Sequence, residues 1–280
     1  MVYVLDKIRE IKFTDIKNRF ISSIFIGAIF LLSFILGGKF WIFLCLFLSA
    51  IMCFEWLEMI NSKNKKLSLY YFMACNISAV FITGAGLLIN FWIDGIIGLL
   101  LLTVPLIINY KNIGKSLTMW IAFGILYVSI PFWFLIHMRI ENSWITLLWL
   151  FSIIWASDVG AYFSGQIFKG KKIAPQISPN KTWSGFFGGI GLSITVSLLW
   201  LVLVNVHQPL QLILFTLILS LVGQIGDLLQ SSLKRHWQVK DMGALLPGHG
   251  GVFDRFDSFL PCMIILQALI LYTGVNFVWH

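Results

Sequence analysis

The sequence predicts an all-α polytopic membrane protein of about nine transmembrane helices, with the N-terminus cytoplasmic and the C-terminus on the opposite side. Three observations carry that reading. Hydrophobic residues make up 59% of the 280 and charged residues only 11%, against roughly 25% charged in soluble domains. Apolar runs of spanning length, about 17 to 25 residues, recur along the whole chain. Basic residues fall almost entirely on one side of the pattern those runs make.

Residues 1–19 mix Lys7, Arg9, Lys12, Lys17 and Arg19 with Asp6, Glu10 and Asp15, and Val4, Ile8 and Ile11 recur at helical spacing. They read as an interfacial arm rather than a signal peptide, because the charges are mixed in sign and no small-residue cleavage site comes after them. The apolar runs then lie at residues 20–37, 40–60, 69–90, 93–109, 116–137, 143–166, 184–206, 208–232 and 257–278. Two pairs of runs, the third with the fourth and the seventh with the eighth, are so close that each reads as a tight hairpin or one interrupted helix. With every run spanning, eighteen of the twenty Lys and Arg lie inside and only Lys39 and Arg139 outside. Dropping one span would scramble that asymmetry.

The four cysteines, Cys45, Cys53, Cys75 and Cys262, are scattered through apolar segments without a CxxC pair, so they read as reduced packing residues and not as a zinc site or disulfide framework. The net charge of +8 sits in short loops between spans. It points to anionic lipid headgroups and phosphorylated substrates, not to nucleic acid.

The polar chemistry concentrates in residues 224–258, which hold four of the twelve acids, Asp227, Asp241, Asp254 and Asp257. A charge at mid-span costs roughly 2.5 to 3.5 kcal/mol, so Asp227, and Asp158 in the sixth run, need a reason to be there. For Asp158, snorkelling or pairing with a lysine is as good a reason as function. Asp227, Asp254 and Asp257 repel one another unless a cation joins them. Asp254 and Asp257 are spaced i, i+3, on one helical face at the start of the ninth run; a helix N-terminal cap, with Arg255 as local partner, is the plainer alternative. Between them and Asp227 lies a Pro-Gly-His-Gly-Gly loop whose glycines allow backbone N–H groups close to an anion. Lys234, Arg235, Lys240 and Arg255 supply a positive field there. The role of His249 stays open. Lys181 stands directly before the seventh run, where anions are favoured. Gly185 and Gly189 read as close helix packing. Glu55 and Glu58 read as interface partners of Lys63, Lys65 and Lys66.

From Ser231 to Asp257 the sequence resembles the signature of the phosphatidate cytidylyltransferases, or CDP-diacylglycerol synthases. The matching positions are Ser231, Leu233-Lys234-Arg235, Lys240-Asp241, Gly243, Leu246-Pro247, His249-Gly250-Gly251 and Asp254-Arg255-Phe256-Asp257. Residues 157–182 resemble the family's second characteristic segment. Val159 departs from the family's usual small hydroxyl residue, and Ser184 from its common acid. The resemblance implies transfer of a cytidylyl group from CTP to phosphatidic acid, giving CDP-diacylglycerol and pyrophosphate, with Mg²⁺ and room for a second, monovalent or divalent, cation. It implies Asp227, Asp254 and Asp257 as metal ligands, with Lys234 beside them in catalysis. Substrate binding falls to Lys181, Ser231, Arg235, Lys240, His249, Gly250, Gly251 and Arg255.

The expected organisation is therefore an arm over residues 1–19, N-terminal transmembrane helices over 20–140, and a catalytic transmembrane region over 141–280 with two cytoplasmic loops, 166–182 and 232–257. The setting is a bacterial cytoplasmic membrane, with phosphatidic acid entering from the inner leaflet; a homodimer is compatible with this picture. Two other readings differ in acceptor or class. Another CTP-dependent lipid enzyme, a polyprenol kinase or archaeal-type lipid cytidylyltransferase, would share the metal logic. A transporter would place its acids at the bilayer midplane and show inverted repeats.

Overall fold

The computed structural model describes residues 27–64, 67, 69–87, 90–141, 144–204, 206, 208–243 and 250–274. The N-terminal arm and His249 lie outside the described residues. Each expected apolar run corresponds to a helix: α1 (Gly27–Leu36), α2 (Gly38–Asn64), α3 (Leu69–Thr83), α4 (Phe91–Ile113), α5 (Lys115–Ile140), α6 (Trp144–Phe168), α7 (Trp183–Leu203), α8 (Pro209–His236) and α9 (Phe259–Thr273). Among the described residues, five helices (α2, α5, α6, α7 and α8) are long and apolar enough to cross a membrane, and the other four contain shorter apolar stretches. The chain is an integral membrane protein.

The close pairs of runs are separate helices. After α3, Gly84 and Gly86, the latter with φ +90°, turn the chain. Asp94 in the first turn of α4 accepts the Gly86 N–H at 3.0 Å, and Asn90 caps α4 by accepting the Ile93 N–H. α8 begins on Pro209, whose missing N–H would be unsatisfied at that position anyway. One expectation is corrected: the fold is not purely helical. The connection after α6 forms an antiparallel hairpin, β1 (Lys172–Ala174) with β2 (Ser178–Thr182), pairing Lys172 with Thr182 and Ala174 with Ser178. A polar loop at a helix end must satisfy its backbone groups, and this one does so by pairing with itself.

The chain divides into two units. The first comprises the chain up to Ile125 together with Asp241–Asp254. In it Trp41, fully buried on α2, takes Phe30 and Phe34 of α1 edge-on. Ser49 and Thr83 share a buried hydrogen bond of 2.8 Å between α2 and α3. Trp56 is buried against Gly124 of α5 and donates its indole N–H to the Trp120 carbonyl at 3.0 Å.

The second unit comprises Leu126–Lys240 and Arg255–His280. Its backbone is the α6–α7 pair, where small residues let the two helices nearly touch. A Cβ at Gly160 would lie 2.6 Å from the Gly188 carbonyl oxygen, and one at Gly185 or Gly189 would lie 2.7 Å from the carbonyl oxygen of Ala161 or Ser157. The reading of Gly185 and Gly189 as packing residues therefore holds. Hydroxyls fill the remaining gaps: Ser193 donates to the Ile153 carbonyl at 2.8 Å, Trp149 to Ser197 at 3.2 Å, and Ser157 pairs with Ser220 of α8 at 3.2 Å.

Candidate active site

Within the second unit, close helix packing gathers charge at one end of α6, α7, α8 and α9. Asp227, Ser231 and Lys234 lie at i, i+4 and i+7 on α8, hence on one face. Gln224, nearly a turn earlier, donates to the Phe186 carbonyl at 3.1 Å and fixes α8 against α7. On its other side α8 carries Gly223 and Gly226, where α9 starts. A Cβ at Gly223 would meet Cys262 Sγ and Ser258, and Gly226 faces Pro261 and the Asp257 carbonyl. This approach brings Asp257 within the electrostatic reach of Asp227.

Lys181 arrives from the hairpin. Its Nζ lies 2.6 Å from Asp227 Oδ2, with the two side chains 26% and 30% exposed. The next three residues of the chain hold it there. The Thr182 hydroxyl caps α7 by accepting the Gly185 N–H at 3.1 Å, and the Trp183 N–H donates to the Lys171 carbonyl at 3.1 Å. Ser184 donates to the Lys169 carbonyl and pairs with the Thr182 hydroxyl. The residue that departs from the family's acid thus closes the hairpin base with its hydroxyl. Thr182→Ala removes the cap and is expected to cost about 1 kcal/mol; a lower unfolding temperature in detergent checks it.

Asp158 completes the group. It sits on α6 within the electrostatic reach of Asp227 and Lys181, whose charges act on it. Its neighbour Val159 faces away and is exposed. A shallow recess opens beside Asp158, lined also by Ser157, Ser220, Gly223 and Ser258. Asp257 precedes α9, accepts the Ser258 N–H at 2.8 Å, and has its carboxyl raised from the ordinary range by burial first and by the negative charge of Asp227 second. Lys234 acts in the opposite sense on Asp257. Arg235 and Lys240 are exposed at and beyond the end of α8, and Arg255 is exposed in the turn before α9.

The expectation that Asp254 and Asp257 share a face of the last helix is corrected. α9 begins at Phe259, and Asp254 belongs to a single 3₁₀ turn, Phe253–Arg255. Asp254 is counted with the first unit, where its Oδ2 accepts the N–H groups of Met242 at 3.0 Å and Gly251 at 3.1 Å. Those two bonds turn the acid back onto its own loop instead of along a helix.

The same loop overturns the reading of Glu55. Glu55 is fully buried in α2, and its two oxygens accept the Val252 N–H at 2.9 Å and the Phe253 N–H at 2.8 Å. Both oxygens are thus engaged by amides of the loop. Gly243 and Gly251 make room for the Glu55 carboxylate, since a Cβ on Gly251 would lie 2.8 Å from Oε2 and one on Gly243 would run into Oε1. Gly250, with φ +79°, borders Asp254 and Asp241. Helical spacing alone gives no sign of a contact 197 residues away. The one available signal is an unpaired acid inside an apolar run.

Among the described residues no three His, Cys, Asp or Glu side chains converge as a ready metal site. The chemistry around Asp227 nevertheless suits a hard cation: the donors are carboxylate and hydroxyl oxygens, and the mutual repulsion of Asp158, Asp227 and Asp257 is what a divalent ion relieves.

A family model described as the cytidylyltransferase family matches residues 17–273. A phosphatidate cytidylyltransferase of Bacillus subtilis is 34% identical over 91% of this chain and 98% of its own length. One of Brucella melitensis is 33% identical over 92% of this chain and 93% of its own. One of Staphylococcus epidermidis is 45% identical, but over 54% of this chain, and the match spans only 58% of that relative.

Proposed function

This chain belongs to the cytidylyltransferase family, and from that premise we propose that it transfers a cytidylyl group from CTP to phosphatidic acid, releasing pyrophosphate and forming CDP-diacylglycerol. The observation that carries the reading is the meeting of Lys181, Asp227, Asp158 and Asp257 in one unit, with Lys234 acting on Asp257. Attack of a lipid phosphate on the α-phosphorus of CTP brings two anions together, so the site must neutralise charge and align the attack. Lys181 and Lys234 hold phosphate oxygens close to the carboxylates, and the more exposed Arg235, Lys240 and Arg255 draw in the triphosphate. Asp227 and Asp257, with Ser231, are the residues that would hold Mg²⁺, and the sequence resemblance alone adds Asp254 to that set. When bound, that ion supplies charge neutralisation at the phosphates and a fixed direction of approach. A phosphate monoester is already nucleophilic at neutral pH, so the reaction needs no dedicated base.

In this proposal all nine helices cross the bilayer, with the N-terminus inside and the C-terminus outside, because that arrangement leaves only Lys39 and Arg139 on the outer side. The site then faces the cytoplasm in a bacterial inner membrane. Phosphatidic acid reaches it sideways from the inner leaflet, its acyl chains remaining in lipid.

The test uses purified full-length protein with labelled CTP, Mg²⁺ and either phosphatidic acid or a polyprenol. Label in CDP-diacylglycerol, lost with EDTA and restored by Mg²⁺, is the expected result. Label appearing in the polyprenol instead overturns the choice of acceptor. Solute uptake into liposomes without CTP turnover overturns the enzyme reading. In the same assay Asp254→Asn is expected to abolish product formation while the protein still inserts and folds; full activity would remove Asp254 from the metal set.

A further inference from the structure

Glu55 makes a contact that neither packing nor solubility requires. A buried carboxylate carries a desolvation penalty of several kcal/mol, and an apolar residue on this face of α2 would avoid it. The penalty is offset here by two charge-assisted hydrogen bonds to consecutive amides, Val252 and Phe253. Next to it Trp56, itself fully buried, stacks on the Phe253 ring with centroids 5.7 Å apart. The loop has given up side chains at Gly243 and Gly251 so that the carboxylate fits. The segment so held ends on Asp254, whose own carboxylate binds the Met242 and Gly251 amides and so ties the loop's two ends together.

The carboxylates of Glu55 and Asp254 repel each other, yet both bind amides of the same loop. Two like charges are thus kept close on one loop, each satisfying two of its amides. We propose that Glu55 is a positioning residue for the reaction: from α2 it fixes residues 251–253, and through them the place and orientation of the Asp254 carboxylate. This rests on the assignment of Asp254 to the metal set. Glu55 is not a catalytic residue, since it faces backbone amides and reaches the chemistry only through Asp254.

Glu55→Gln is the informative variant. It keeps the size of the side chain but presents an amide NH₂ to one of the two N–H groups, so one bond becomes a clash of donors. Three variants, Glu55→Gln, Glu58→Gln and Asp254→Asn, are purified and assayed per mole of folded, monodisperse protein. Glu58→Gln makes the same charge change on an exposed position less than one turn along α2. Glu55→Gln is expected to raise the Mg²⁺ concentration for half-maximal activity about tenfold and to lower kcat, with the KM for CTP little changed. Hydrogen exchange should quicken in the peptide covering residues 250–254 and stay unchanged in α6 and α7. Glu58→Gln should match the unmodified protein. Unaltered Mg²⁺ dependence and exchange in Glu55→Gln overturn the proposal. So does a lower yield of folded protein whose kinetic constants are unchanged, which marks a purely structural role. If Asp254→Asn is active, the metal assignment has failed; if Asp254→Asn is inactive while Glu55→Gln behaves normally, only the positioning role has failed.

Discussion

Asp227→Asn is expected to reduce cytidylyl transfer by about a thousandfold, the scale on which loss of one preorganised charge partner is felt, with little change in expression. The substitution keeps the shape of the side chain but removes the charge that meets Lys181 at 2.6 Å and that acts on Asp158 and Asp257. Lys181 loses its partner, and the proposed cation loses a ligand in the same step. Lys181→Met is expected to reduce activity through the other half of the pair. Because the two residues act as a unit, the double variant should be barely worse than Asp227→Asn alone. Fully additive losses would show that this ion pair has no part in the reaction. Initial rates for the four proteins, at saturating CTP and Mg²⁺, decide between these outcomes.

Gly160→Val is expected to have the second large effect, and on stability rather than chemistry. Its Cβ would press on the Gly188 carbonyl oxygen at 2.6 Å and on Leu192 Cβ at 2.8 Å, with Gly189 Cα at 3.1 Å. Two of those three atoms are backbone, so α6 and α7 must separate. Overpacking of this kind costs about 3 kcal/mol, and in a membrane there is little hydrophobic force between helices to restore the contact. The expected readout is a large drop in unfolding temperature in detergent, with activity lost in proportion to folded protein. Gly191→Ala is the control, because a Cβ there meets nothing within 4 Å; a similar drop in both would show that the contact at Gly160 is not the cause.

The helices were legible because spanning length and charge side leave a strong, redundant pattern in composition. Gly185 and Gly189 were legible for the same reason: small residues four apart in an apolar helix have little use but close approach. The hairpin was not, because β1 and β2 are only three and five residues long, and only the need to satisfy backbone groups calls for them. Lys181, Asp227 and Asp257 could be nominated from charge and spacing, whereas the membership of Asp158 depends on how α6 packs, which no local pattern records. Glu55 was the most hidden. Its partners are amides of residues far along the chain, and an amide has no residue-specific mark in a sequence.

The amides of Met242, Gly251, Val252 and Phe253 all donate to the protein's own carboxylates, which has a consequence for ionic strength. Shielded backbone donors hold an anion almost independently of added salt, but these four are already engaged. Among the described cations, Arg235 and Lys240 stand at the water boundary, where both are exposed. With a screening length near 8 Å at physiological salt, such charges attract CTP strongly in dilute buffer and progressively less as salt rises. The apparent affinity for CTP should therefore serve as a gauge of how much of its binding is carried at that boundary.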